Sequence, residues 1–195
     1  DLKTTGLQAT KDRIVQIAVI KINPDGLKEE LNLIVNPEME IPQEVIDIHG
    51  ITNERAKECP TFNELAVQVA TFIGNSDLAG FNSNKFDIPM LAKRMMINGF
   101  APPPIIPTAD TKPWEIKALD TKELWNGTNP FTIASLELIS VSMGCESSKG
   151  GPVTGGVVHH SYWEAGILDK IAEYCEDDVK ALVDLIEKFD KLQYV

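Results

Sequence analysis

The sequence predicts an α/β domain in which a mixed sheet is flanked by helices. Two observations lead there: β-branched, strand-like segments come early, and helix-periodic segments alternate with short strands afterwards. A third sets the organisation. No internal repeat and no shift of composition divides the 195 residues, so residues 1–195 read as one domain.

Residues 14–22, Ile-Val-Gln-Ile-Ala-Val-Ile-Lys-Ile, suit a buried strand. Asn23-Pro24-Asp25-Gly26 has turn composition, and Leu31 to Val35 reads as the returning strand of a hairpin. Pro37 and Pro42 bracket an extended loop, followed by a short helical turn from Val45 to His49. Asn63 is the expected cap of a helix that runs to Ile73, with Leu65, Val69 and Phe72 on one face. Asp77 to Phe81 is a short strand, and Phe86 to Asn98 is helical until Gly99 and Pro102-Pro103-Pro104 stop it. Residues 105–131 are ambiguous. Ile133 to Met143 reads as a helix closed by Gly144, residues 146–161 as a Gly/Ser-rich loop, and Ile167 to Leu192 as a long amphipathic helix.

With 43% hydrophobic and 24% charged residues, the composition is that of a globular protein. No apolar run of about 18 residues is present, so no membrane span is expected. Cys59, Cys145 and Cys175 follow no metal or redox spacing; they read as buried, reduced thiols of a cytoplasmic protein. The net charge of −11 argues against a broad electrostatic grip on nucleic acid. It does not exclude a carboxylate site that turns attractive to phosphate once divalent metal binds.

Three short segments place carboxylates where they can converge. In Asp1-Leu2-Lys3-Thr4-Thr5-Gly6-Leu7, extended alternation points residues 1 and 3 to the same side. In Asn82-Ser83-Asn84-Lys85-Phe86-Asp87, a strand ends and a helix begins. In Tyr174-Cys175-Glu176-Asp177-Asp178, a spacing of four puts Tyr174 and Asp178 on one helical face. Phosphodiester hydrolysis needs such a set: two divalent ions about 4 Å apart activate a water and stabilise the leaving oxygen. Ions of the magnesium type take oxygen ligands. Each piece alone has an ordinary explanation: a solvated acidic face for Asp177 and Asp178, a first-turn residue for Asp87, a core aromatic for Tyr174.

Taken together, the three segments resemble the motifs D-x-E, N-x₃-(F/Y)-D and Y-x₃-D of the DEDD superfamily of 3′→5′ exonucleases, in its tyrosine (DEDDy) branch. The histidine form, H-x₄-D, is not met by His159 or His160. The resemblance covers most of the chain. Val35-Asn36-Pro37 through Ile48-His49-Gly50-Ile51-Thr52 is similar to exonucleases of the proofreading-subunit type. Phe86-Asp87-Ile88-Pro89, Met96 to Gly99, Lys112 to Glu115, Leu119-Asp120-Thr121 and the last helix are similar to bacterial proteins related to the family B polymerase exonuclease domain. The resemblance implies a ribonuclease-H-like fold that removes nucleotides from the 3′ end of single-stranded DNA, favoured over RNA, with two magnesium or manganese ions and a polymerase or repair protein as partner. It implies metal ligation by Asp1, Asp87 and Asp178, and a water oriented by Tyr174. Thr4, Thr5, Gly6 and Leu7 would meet the terminal nucleotide, with His49, Asn82 and Phe86 lining the site.

Lys3 departs from that pattern, since the motif requires glutamate there. An ammonium has no lone pair to give a cation, and like charges 4 Å apart repel by roughly 4 kcal/mol at an effective dielectric of about 20. Three accounts stand: a change in an otherwise active enzyme, a natural loss of hydrolysis in a nucleic-acid-binding or scaffold protein, or replacement of the lost ligand by Glu176 or Asp177. A second departure is the start. In the resembled fold, apolar residues precede the aspartate on a central strand, and here none does: either the chain is trimmed, or the preceding residues are absent from the sequence, and a physical truncation would cost the sheet part of that strand. A metabolic α/β protein is the remaining alternative, and it lacks a phosphate-binding Gly loop or a nucleophile elbow.

The other candidates have plainer readings. His159 and His160 read as an exposed loop pair. Trp114, Trp125 and Trp163 read as packing residues, with base stacking as the alternative. Lys85, Lys93 and Arg94 flank the second motif, where phosphates would pass; Lys112 and Lys117 are looser candidates.

Overall fold

The structure is a computed structural model that describes residues 1–107, 110–112, 115–127, 129, 134–145 and 168–193, with side chains from residue 177 onward in the last stretch. Strand β1 (Leu2–Thr4) pairs antiparallel with β2 (Ile14–Ile22), which pairs antiparallel with β3 (Lys28–Ile34). Helices α1 (Gln43–His49), α2 (Asn53–Lys57) and α3 (Phe62–Ile73) follow. Strand β4 (Leu78–Gly80) then leads into α4 (Asp87–Ile97), and β5 (Ala118–Asp120) returns parallel to β4. Helices α5 (Thr121–Asn126), α6 (Leu136–Ser142) and α7 (Leu168–Lys191) close the order.

The β1–β2 register breaks between Lys3 and Thr4, which pair with Gln16 and Ile14. The skipped residue, Val15, turns into a small cluster with Ile41, Ile51 and Ala56, while Ile14 and Ile17 both enter the main core. Past the bulge β2 alternates cleanly. Ile17 and Val19 face Leu65, Val69, Met90 and Leu91, whereas Ala18 and Ile20 face Val179 of α7. Both faces of β2 are therefore covered, which is why Ile17 to Ile20 are apolar at every position.

Both strand senses are present, as the expected mixed sheet requires, but in two pieces: antiparallel β1–β2–β3 and parallel β4–β5. The cap of α3 is Thr61 and not the expected Asn63. Thr61 and Glu64 form a reciprocal capping box, a bonding pattern that Asn63, already inside the first turn, does not make. The ambiguous stretch holds β5 and α5; the expected loop 146–161, with His159 and His160, lies outside the described residues, as do Trp114 and Trp163. Among the described residues, no helix is long and apolar enough to cross a membrane.

Candidate active site

Strand alternation places Asp1 and Lys3 on the α7 side of β1, while Leu2 enters the core opposite. The Asp1 amino group donates to the Ala18 carbonyl at 2.9 Å, and the Ala18 N–H returns a bond to the Asp1 carbonyl at 3.0 Å. On the other edge of β1 the Leu2 N–H donates to Asp87 Oδ1 at 2.9 Å. Asp87 is thereby held from the first turn of α4, where the helix macrodipole favours an anion. Asp178 descends from α7. Asp1, Asp87 and Asp178 all line the mouth of one cavity.

The third partner of this meeting is Lys3. Its Nζ donates to Asp1 Oδ2 at 2.6 Å and to Asp178 Oδ2 at 3.1 Å, and the Lys3 side chain is only 17% exposed. The ammonium thus bridges two carboxylates from opposite ends of the chain, the position a cation would take. At about 4 Å and an effective dielectric of about 20, a divalent ion and an ammonium repel by roughly 8 kcal/mol, so the two do not share the site. Among the described residues, no group of three His, Cys, Asp or Glu side chains is arranged to hold a metal ion. As they stand, the residues do not fit the divalent metal implied by the sequence motifs. Among the described residues lining the cavity, the carboxylates are Asp1, Asp87 and Asp178; Asp177 is not one of them, and the side chains of Tyr174 and Glu176 lie outside the described residues.

The turn after β1 is tightly tied. Thr4 Oγ1 donates to the Gly6 carbonyl, and Thr5 Oγ1 accepts the Arg13 N–H. A Cβ on Gly6 would lie within 2.5 Å of the Asp12 carboxylate, which itself accepts the Gln8 N–H. Both hydroxyls are therefore engaged in building the turn. Leu7 at its tip is 82% exposed. It lines a second cavity of about 280 Å³, with Lys85, Phe86 and Lys93. Arg94, expected beside them at the phosphates, is instead buried, 6% exposed, because its position on α4 faces inward; burial and then the nearby Arg13 charge lower its pKa. Lys117 pairs with Asp77, away from this groove.

His49 ends α1, with Gly50 in the left-handed conformation behind it. Its Nδ1 accepts the Ile51 N–H at 3.1 Å, which puts the neutral ring's proton on Nε2. That Nε2 is buried without a hydrogen-bond partner. Burial, and next the charge of Lys3, lower the pKa of His49 from 6.5 to about 4.

Asn82 adopts φ 59°, a conformation asparagine tolerates better than most residues. Its carbonyl accepts the N–H groups of Lys85 and Phe86, and its side chain takes a bond from Lys122, so it shapes the turn and lines neither cavity. What fixes this turn is Asp120, 3% exposed. Its carboxylate accepts the backbone N–H groups of Asn82, Asn84, Lys122 and Glu123, capping α5 and clamping the loop into α4 with the same two oxygens. Gly80 is required beneath it, since a Cβ there would overlap Ser83. The role of Asp120 is not evident from the sequence alone, where its signal is an aspartate opening a helix-like run in the ambiguous segment.

An antiparallel three-stranded unit, a parallel pair and carboxylates from β1, α4 and α7 at one mouth define an α/β exonuclease fold of the ribonuclease-H type. Solved structures agree: exonuclease I superposes with a TM-score of 0.68 at 17% identity, covering 98% of this chain and 40% of that one. Escherichia coli exonuclease I in complex with a dT13 oligonucleotide gives 0.62 at 16%, covering 98% and 41%. The RNase_T family, described as exonuclease, matches residues 1–131. The chain belongs to this exonuclease family, within the DEDD superfamily of 3′→5′ exonucleases. DNA polymerase III subunit epsilon of Treponema pallidum is 32% identical over 91 residues, 47% of this chain and 42% of that protein. That of Rickettsia prowazekii is 37% identical over 93 residues, covering 47% and 40%. The PolC-type DNA polymerase III of Clostridium perfringens is 28% identical over 99 residues, covering 51% of this chain and 7% of the polymerase. The chain thus spans less than half the length of these relatives. Family membership implies divalent-metal dependence, and Lys3 stands against it in this chain.

Proposed function

We propose that the protein is a 3′→5′ exonuclease domain for the end of single-stranded DNA whose hydrolytic centre is closed by Lys3. The observation that carries this reading is the Lys3 ammonium bonded to both Asp1 and Asp178, beside an open groove lined by Leu7, Lys85, Phe86 and Lys93. In this reading the groove takes the strand. Phe86 and Leu7 offer apolar surface to bases, and the two lysines offer charge to phosphates. Thr4, Thr5 and Gly6 present the backbone at the terminal nucleotide, with His49 below and Asn82 holding the approach to Phe86. With a carboxylate at position 3, Asp1, Asp87 and Asp178 would hold magnesium or manganese, and Tyr174 would orient the attacking water. DNA polymerase III relatives support a polymerase as the partner.

The same ion pairs favour a second reading, a silent domain that holds a 3′ end without cutting it. One experiment separates the two. A 5′-labelled single-stranded DNA, and an RNA of the same sequence, are incubated with the protein and with Lys3→Glu in magnesium and in manganese. Shortening of the DNA from its 3′ end by Lys3→Glu alone is the expected result. Cutting by the unaltered protein would mean that Lys3 does not close the centre. Binding without cutting by both would make the silent reading the correct one.

A further inference from the structure

Arg94 lies in the last turn of α4, one turn beyond Met90, and both residues are carried inward, 6% and 1% exposed. A long charged side chain is rarely enclosed this far unless a carboxylate meets it. Among the described residues, neither a hydrogen bond nor an ion pair reaches the Arg94 guanidinium. None of its nitrogens is fully sealed from solvent, so a ligand can reach them. The carbonyl end of α4 compensates the charge in part. Burial lowers the Arg94 pKa most and the charge of Arg13 next, while Glu38 raises it by less. The strongest charge acting on this buried cation is thus a second cation.

Arg13 is held where β2 begins. Its N–H donates to Thr5 Oγ1, and its Nη1 donates to the Pro37 carbonyl at 3.0 Å and to Glu38 Oε2 at 3.1 Å. Glu38 has φ 53°, a left-handed conformation that glutamate rarely adopts, and its N–H is pinned by Asn36 Oδ1 at 2.9 Å. That backbone presents the carboxylate to Arg13. The carboxylate side chain is 53% exposed, so its ion pair is readily exchanged for another anion. Asp12, next to Arg13 in sequence, is engaged inside the turn, where it accepts the Gln8 N–H. Two guanidinium groups therefore share one solvent-exposed carboxylate, in a chain whose net charge is −11.

We propose that Arg13 and Arg94 form a phosphate subsite beside the groove, and that Glu38 keeps its place until a phosphate displaces it. A guanidinium presents paired N–H donors in a fixed plane, which match phosphate oxygens two at a time. A phosphate can accept from both arginines at once, whereas Glu38 bonds Arg13 and leaves Arg94 bare. The place follows from the chain. The turn that supplies Thr10 to the groove continues into Arg13, and Lys93 on the groove wall directly precedes Arg94. That the phosphate belongs to the backbone of a single strand, upstream of its 3′ end, rests on the reading of the groove given above. Free inorganic phosphate offers the same chemistry.

Two titrations test it on the protein and on Arg94→Lys, Arg13→Gln and Glu38→Gln. In the first, inorganic phosphate replaces chloride at constant ionic strength, while the thermal midpoint and the guanidinium Nε–H resonances are followed. Phosphate is expected to raise the midpoint by about 2 °C or more and to shift the resonances of both arginines. The effect should vanish in Arg94→Lys and Arg13→Gln, and phosphate should bind about threefold tighter to Glu38→Gln. In the second, single-stranded DNA is added to the phosphate-loaded protein and is expected to displace the phosphate; Arg13→Gln should weaken the DNA by about fivefold. Phosphate that binds but is not displaced would leave the subsite standing with free phosphate as its ligand, and would count against the groove as the path of the strand. The absence of any phosphate-dependent shift in the protein and in Glu38→Gln would overturn the proposal, as would a shift that survives Arg13→Gln. Arg13 and Glu38 are both partly exposed, so their variants decide the matter even where Arg94→Lys does not fold.

Discussion

At the carboxylate centre Lys3 is 17% exposed and bonded to two acidic side chains from distant parts of the chain. In the groove beside it Lys85 is 68% exposed and reaches Glu123 only at 3.6 Å. The first cation is engaged inside the protein, where partial burial strengthens its bonds; the second faces solvent, where an ion pair is worth about 0–1 kcal/mol and is readily exchanged for a phosphate. The carboxylate centre and the groove are thus separable parts of this fold: the one holds an engaged cation, the other an exchangeable one.

Asp120 is where that separation is most easily broken, because one buried carboxylate supports the turn that leads into both the groove and Asp87. Asp120→Ala leaves four backbone N–H groups without their acceptor. A loss of about 3–5 kcal/mol is expected, read as a lower denaturant midpoint together with weaker single-stranded DNA binding. Undiminished stability would show that the turn is held by other means.

His49 sharpens the contrast from beneath. Its folded pKa of about 4 lies below the ordinary 6.5, so the unfolded chain binds the extra proton first as pH falls. The stabilisation is complete above about pH 6.5 and is lost towards pH 4, to the extent of about 2–3 kcal/mol. Unfolding of the protein and of His49→Gln at pH 7.5 and pH 4.5 measures it; parallel pH dependence in the two would remove the assignment. Because the Lys3 charge contributes to the lowering, Lys3→Glu should move the His49 titration upward in NMR.

Lys3→Ala is expected to cost about 1–2 kcal/mol, since Asp1 and Asp178 then face each other without the ammonium. Added magnesium should recover part of that stability in a melt, and failure to do so would mean the carboxylates separate when released. In the groove, Lys85→Ala and Lys93→Ala should each weaken single-stranded DNA binding by about 1 kcal/mol and reduce the salt slope by roughly 0.7. Unchanged slopes would place the strand elsewhere.

Much of this was legible in the residues. β2 was readable from its β-branched run, α3, α4 and α7 from their periodicity, and the meeting of Asp1 with Lys3 from strand alternation. The convergence of Asp87 and Asp178 on the same mouth required the motif order as well, since neither is unusual by itself. β5 and α5 were hidden because a three-residue strand and a six-residue helix carry too few residues to show a period. The burial of Arg94 was equally hidden, because a cation inside a helix pattern reads as solvated unless the opposing face is known.

In the proposed function the Lys3 ammonium stands where a divalent cation would bind. Manganese titration followed by electron paramagnetic resonance tests it directly, on the unaltered protein and on Lys3→Glu. Negligible manganese uptake by the former and saturable binding by the latter, tighter by about a hundredfold or more, are expected. Equal affinity in the two proteins would contradict it.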